Sequence, residues 1–181
     1  MAFFGLFGRA RHERVGFVLY GAAVRAGRDP FWYRDLGVPD TLDGRFDMIG
    51  LHVCLLIRRL RALPSPGPDL AQAVFDAMFS DMDQALRELG VGDLSVGKRV
   101  RAMWEALHGR ARAYEAALAA DDEAALAVAL ARNVWRGAAP EGAAPRLARL
   151  VAGFDADLRH QDPAGLCAGR VVFPQACTVA A

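Results

Sequence analysis

Residues 92–98 follow the spacing G-x-x-x-x-G-K, in which backbone amides and a lysine can hold a phosphate group. Two departures argue against a nucleotide site. The position after Lys98 is Arg99, where magnesium binding would need serine or threonine, and the motif follows a helical pattern instead of a buried strand. We therefore interpret the match as accidental.

The four histidines do not form a metal-binding pattern. His12, His52, His108 and His160 show no spacing such as H-E-x-x-H, and no serine or cysteine is visibly paired with a base. We therefore expect no enzyme, no metal site and no cofactor. His52 lies among apolar residues and is interpreted as a core histidine bonded to a carbonyl or carboxylate. The alternative places His52 in the pocket of a carrier for haem or quinone.

The three cysteines, Cys54, Cys167 and Cys177, contain no C-x-x-C pair. An odd number of cysteines predicts free thiols in a reducing compartment. A bridge between Cys167 and Cys177 is the alternative.

A cluster of cations, Lys98, Arg99 and Arg101, lies in the first turns of a predicted helix, where the backbone dipole is already positive. Cations are mildly unfavourable there, so this helix end is a candidate anion-binding site. The alternatives are a solvated face, or neutralisation by the acidic helix that precedes it.

Chain length and net charge restrict the class of protein. A chain of 181 residues suits one domain with its own core. A net charge of +1 argues against a general nucleic-acid binder, and no direct DNA binding is expected.

Residues 38–63 hold the stretch around which the chain is organised. Residues 46–60 are apolar almost all round, which is typical of a helix buried in the middle of a bundle. Thr41 and Asp43 can both cap its start. Its uncharged run, residues 48–57, is far below the roughly 20 residues that cross a bilayer.

Apolar residues at helical spacing predict the remaining helices, over residues 12–26, 30–36, 69–89, 96–119, 122–136 and 145–158. The fold class is thus all-α, a single-domain bundle of six or seven helices around the central one. Residues 1–11 are expected to form an apolar and basic N-terminal arm, laid on the core or touching a membrane interface. Residues 12–160 form the helical domain, and residues 161–181 an irregular C-terminal tail.

Several unusual stretches resemble the ubiquinol–cytochrome c chaperone family, in the right order and over residues 12–135. They are L-Y-G-A-A-V (19–24), F-W-Y-R-D-L-G-V-P-D-T-L-D-G-R-F-D-M (31–48), L-H-V (51–53), F-D-A-M-F-S-D-M-D (75–83) and L-R-E-L-G-V-G-D-L-S-V-G-K-R-V (86–100).

The resemblance implies an all-helical, non-enzymatic assembly factor for respiratory complex III. Its expected partner is newly made cytochrome b or another complex III subunit, with the ribosome or the membrane surface as further contacts. The expected location is the cytoplasm, peripherally on the inner membrane. The chain resembles a bacterial member of the family.

The family supplies no catalytic residues. Its signature residues here are structural or client-binding: Asp40, Asp43, Gly44, Arg45, Asp47, His52, Gly90, Gly92, Asp93 and Lys98. The candidate client- or anion-binding residues are Lys98, Arg99, Arg101, Asp40, Asp43, Arg45 and Asp47.

Overall fold

The computed structural model describes the backbone of residues 2–174 and the side chains of residues 10–92 and 95–174. All regular elements in that part of the chain are helices, so the predicted all-α class is confirmed. They are α1 (Ala2–Gly27), α2 (Pro30–Arg34), α3 (Leu42–Arg61), α4 (Gly67–Glu88), α5 (Asp93–Ala119), α6 (Glu123–Val134), α7 (Ala143–His160) and α8 (Pro163–Cys167).

Helix α3 is the centre of the bundle, as predicted from its apolar run. It packs against α1, α4, α5, α6 and α7, and every residue from 46 to 57 is buried. Its side chains divide between two hydrophobic clusters. Met48 and Leu55 join the cluster built with α2, α6 and α7, while Val53 and Leu60 join the cluster built with α1 and α4. Both clusters therefore depend on this one helix.

Side-chain caps fix several helix starts. Thr41 accepts a hydrogen bond from the Gly44 amide at 3.1 Å and caps α3, and Asp122 caps α6 in the same way. The start of α4 differs from the predicted residue 69, because the helix begins two residues earlier at Gly67. Pro68 suits that first turn, where its missing N–H has no partner to lose.

Three further helix starts depart from the prediction. α1 begins at Ala2 instead of His12, α5 begins at Asp93, and α7 begins at Ala143. No proline interrupts residues 2–12, and a helix tolerates each glycine there at a cost of about 1 kcal/mol. The connection between α4 and α5, residues 89–92, is shorter than the gap left between the two predicted helices.

Helix α8 corrects the expectation that the chain is irregular from residue 161. Asp162 accepts hydrogen bonds from the amides of Ala164 and Gly165, and Pro163 occupies the first helical position. Leu166 is fully buried among α1, α3 and α4 side chains. The boundaries of the arm and the tail as separate regions stay predictions.

The segment that follows α8, residues 170–174, has no regular secondary structure and is bound by the side chain of Gln161. The Gln161 amide donates to the Val172 carbonyl at 2.6 Å, and its oxygen accepts from the Val172 amide at 3.0 Å. This pairing places the ring of Phe173 against His52, with ring centroids 5.2 Å apart. Residues beyond 170 therefore contribute to the core.

No helix among residues 2–174 combines the length and apolar character needed to cross a bilayer. Cys54 is buried and Cys167 half-buried, and both are free thiols. Cys177 lies outside the described residues, so the predicted count of three free thiols stays a prediction.

Candidate functional site

An apolar groove of about 460 Å³ lies where the start of α3, the end of α4 and the first half of α5 meet. Apolar side chains from all three helices line it: Leu42, Phe46, Ile49, Met82, Ala85, Leu86, Leu89, Ala102, Met103 and Ala106. Leu42 is 63% exposed and Leu89 is 65% exposed, although both are large and apolar. A continuous apolar surface of this kind usually marks a binding site.

Charged side chains surround the groove, and cations predominate. Five arginines line it, Arg28, Arg45, Arg99, Arg110 and Arg136, against two aspartates, Asp43 and Asp81. Asp81 accepts a hydrogen bond from the hydroxyl of Tyr20 at 2.6 Å. The arrangement can hold an apolar body and attract negative charge beside it.

The buried carboxylate of Asp47 ties three distant segments together beneath the groove. Its side chain is only 2% exposed, and it pairs with Arg110 of α5 and with Arg136, whose Nη1 lies 2.7 Å from Oδ2. Burial raises the pKa of Asp47, while the two guanidinium groups act in the opposite direction. Asp47 thus orients two groove arginines and does not itself line the groove.

A second cavity of about 390 Å³ adjoins the groove and shares Arg28 and Arg45 with it. Tyr33, Arg34 and Asp40 complete its polar lining. Asp40 binds the guanidinium of Arg45 at 2.7 Å, and that hydrogen bond holds the pKa of Asp40 below its usual range. Burial raises the pKa of Tyr33 to about 12, so its hydroxyl stays neutral and donates to the Gly27 carbonyl at 2.7 Å.

The structure brings together some of the predicted site residues and separates others. Asp43, Arg45 and Arg99 line the groove, and Asp40 lines the adjoining cavity. Lys98 and Arg101 are exposed and line neither, and Arg101 pairs instead with Glu105 at 3.1 Å.

The anion-binding argument for the helix start is weakened by where α5 begins. With its first residue at Asp93, Lys98 and Arg99 lie in the second turn. The helix dipole acts mainly within the first turn, so these cations are not held at the positive helix end. Residues 92–98 also form the N-cap and opening turns of α5 and follow helix α4, in agreement with the rejection of a phosphate loop.

Sequence reasoning missed Arg28, Arg110 and Arg136 as groove residues. They come from the residue after α1, the second half of α5 and the segment after α6, and they become neighbours only in the folded chain. One signal was available: Asp47 is a carboxylate inside an apolar run, and such a group needs a cationic partner once it is buried.

His52 is a core histidine, as predicted. Its Nδ1 donates to the Met48 carbonyl at 2.8 Å, and its ring packs against Trp32, Phe154 and Phe173. Nε2 is buried and has no hydrogen-bond partner among the described residues. His52 lines none of the cavities described here, which gives no support to the alternative of a haem or quinone pocket at this residue.

The stability of the fold is expected to depend on His52 in acid. Burial lowers its pKa to about 4, well below the ordinary value of about 6.5. The unfolded chain therefore binds the proton first, and stability falls as pH drops from about 6.5 towards 4. Linkage gives a loss of about 2 kcal/mol between pH 7.5 and 5.

Urea denaturation of the parent and of His52→Gln at both pH values checks this expectation. The parent should lose about 2 kcal/mol more than the variant over this range, since the glutamine side chain does not titrate. Equal losses would show that His52 is not buried in the neutral form.

Among the described residues, no group of three or more histidine, cysteine or acidic side chains is placed to hold a metal ion.

Comparison with known proteins gives concordant results. The family described as Ubiquinol-cytochrome C chaperone matches residues 34–173. Ubiquinol-cytochrome-c reductase complex assembly factor 1 of Xenopus laevis is 25% identical over 103 residues, covering 57% of this chain and 51% of that protein. Protein CBP3, mitochondrial, of Saccharomyces cerevisiae is 32% identical over 110 residues, covering 59% and 32%. The chain thus spans about half or less of the length of these curated relatives.

A solved structure is also similar, the crystal structure of the Cbp3 homolog from Brucella abortus. It is 34% identical, the match covers 97% of this chain and 98% of that one, and the TM-score is 0.84. The matched span includes all three helices that form the groove.

Proposed function

Because this chain belongs to the ubiquinol–cytochrome c chaperone family, we propose that it is a non-enzymatic chaperone in the assembly of respiratory complex III. The observation that supports this function best is the apolar groove within the matched residues. A chaperone needs an exposed apolar surface on which an unassembled hydrophobic protein can be held. No chemical step is required of the site.

We propose newly made cytochrome b, bound at the cytoplasmic face of the membrane, as the client. A membrane protein exposes long apolar segments before it is assembled, and covering part of one of them would prevent aggregation. Another complex III subunit is the competing client. Purification of a tagged chain from native membranes, followed by identification of the retained complex III subunits, tests this assignment.

The candidate residues take different roles in this proposal. Asp43, Arg45 and Arg99 contact the client, since they line the groove. Asp40 and Asp47 act through the arginines that they bind. Lys98 and Arg101 lie outside the groove. They contribute to the positive electrostatic potential that attracts an anionic surface, either the ribosome or the acidic headgroups of a membrane.

Reversing two cations near the groove is expected to impair assembly without unfolding the protein. Both Lys98 and Arg99 are exposed, so Lys98→Glu with Arg99→Glu should change the free energy of unfolding by less than about 1 kcal/mol. Complex III should accumulate to lower levels, and salt-sensitive attachment to membranes or ribosomes should weaken. Native gels and membrane fractionation provide the two measurements.

The matched control reverses Arg112 and Arg132, which are exposed helical arginines that do not line the groove. It changes net charge equally and should leave complex III intact. If the Lys98 and Arg99 variant also assembles normal complex III and stays on the membrane, these cations have no part in function.

A further inference from the structure

The groove has a shape suited to a broad occupant. Phe46, Ile49 and Leu86 form its buried floor, and the exposed side chains of Leu42 and Leu89 extend that apolar surface towards solvent. A helix is about 10–12 Å across with its side chains and can cover such an open surface.

Two flexible side chains make the groove adaptable. Met82 and Met103 lie in its lining, one on α4 and the other on α5. Methionine is unbranched and polarizable, and it is frequent in grooves that accept different apolar helices.

The charges around the groove are incompletely neutralised. Within the described part of the chain, Arg45, Arg110 and Arg136 have carboxylate partners. Arg28 and Arg99, which also line the groove, form no ion pair with any described residue. Arg34 in the adjoining cavity is likewise without an ion pair among these residues.

We propose that the groove binds an amphipathic helix of the client whose apolar stripe is flanked by carboxylates, which pair with Arg28 and Arg99. The adjoining cavity, with Arg34, receives the acidic end of that helix. This inference rests on the proposed chaperone function only for the identity of the client. The apolar floor and the unpaired arginines specify the chemistry of the helix that binds.

Because opposite charges favour binding and like charges oppose it, the site selects among apolar helices by the charge of the residues that flank their apolar stripe. A helix flanked by lysine or arginine would place its charges against Arg28 and Arg99 and be rejected. Apolar helices that lack flanking charge would bind with intermediate affinity.

Two synthetic helical peptides test the proposal directly on the full chain. Both carry leucines at i, i+3, i+4 and i+7; one is flanked by glutamates and the other by lysines. The glutamate peptide should bind about tenfold or more tightly than the lysine peptide, measured by fluorescence anisotropy. The difference should shrink near 1 M salt, where the screening length falls to about 3 Å.

Two single variants and one double variant locate the site. Ala102→Trp fills the groove and should abolish binding of the glutamate peptide, while Ala124→Trp, an exposed helical alanine on α6, should leave binding unchanged. Arg28→Glu with Arg99→Glu should reverse the preference towards the lysine peptide. Circular dichroism of each variant establishes that it is folded.

Equal binding of the two peptides, a preference for lysine, or insensitivity to Ala102→Trp would each overturn the proposal. Binding of phosphatidylcholine–phosphatidylglycerol vesicles that is lost in Ala102→Trp, with no peptide bound, would also overturn it and assign the groove to lipid. Retention of cytochrome b is measured for the same variants in native membranes. If retention depends on the groove while the peptides show no charge preference, the chaperone function stands and the helix chemistry fails.

Discussion

Replacing Leu55 by aspartate is expected to have the largest effect on stability among the variants considered. Leu55 is 1% exposed and lies in the middle of α3, within the hydrophobic cluster shared with α2, α6 and α7. The change removes packed apolar atoms and buries a carboxylate without a cationic or hydrogen-bonding partner. It should lower the free energy of unfolding by several kcal/mol. Since whole domains are stable by about 5–15 kcal/mol, the variant should lose a large part of its stability.

Thermal and urea unfolding measure this loss. Val128→Asp is the matched control, because Val128 is also helical but 71% exposed, and it should change stability by about 0.5 kcal/mol or less. A Leu55→Asp protein that melts within a few degrees of the parent would mean that α3 is peripheral.

Removing both cationic partners of Asp47 is expected to have the second largest effect. Arg110→Met with Arg136→Met keeps unbranched side chains but leaves the carboxylate buried and unpaired. Removing one partner of a buried ion pair lowers the free energy of unfolding by about 3–5 kcal/mol. Unfolding at pH 7.5 should show a loss of that order.

The pH dependence identifies Asp47 as the source of the loss. Burial already raises its folded pKa, and losing both guanidinium groups raises that pKa further. A raised folded pKa means that stability is kept below the unfolded value of about 3.9 and lost as pH rises through the folded value. The variant should therefore be closer to the parent at pH 4.5 than at pH 7.5.

Two controls complete this test. Adding Asp47→Asn to the double variant should recover stability at pH 7.5, because the amide carries no charge. Arg101→Met removes an exposed pair with Glu105 and should cost less than about 0.5 kcal/mol. A double variant that shows the same loss at both pH values would place the effect in packing instead of charge.

The central helix could be predicted from the sequence because its signals are local. An apolar run interrupted only by His52 and a threonine cap both lie within residues 38–63, and α3 has the position they indicate. The starts of α4 and α5 were misplaced by two or three residues, since glycine and proline at a helix start resemble a loop.

The groove could be predicted only in part. Asp43, Arg45 and Arg99 stood out by their types, but nothing in a linear sequence indicates that Arg28 and Arg136 face them. Such neighbours depend on how helices cross, which spacing along one helix does not determine. Asp47 stood out as a candidate binding residue, but the two distant arginines that pair with it and allow its burial could not be named from the sequence.

The pairing of Gln161 with Val172 and the contact of Phe173 with His52 can form only late in biosynthesis. Translation adds roughly 5–20 residues each second, so the ribosome needs several seconds to proceed from His52 to Phe173. During that interval, His52 lacks the ring of Phe173 that it contacts in the folded protein. A nascent chain stalled before residue 163 would lack α8 and Phe173 while already carrying every residue of the groove. We therefore expect proteolytic resistance to appear late in synthesis, after the groove residues have been made.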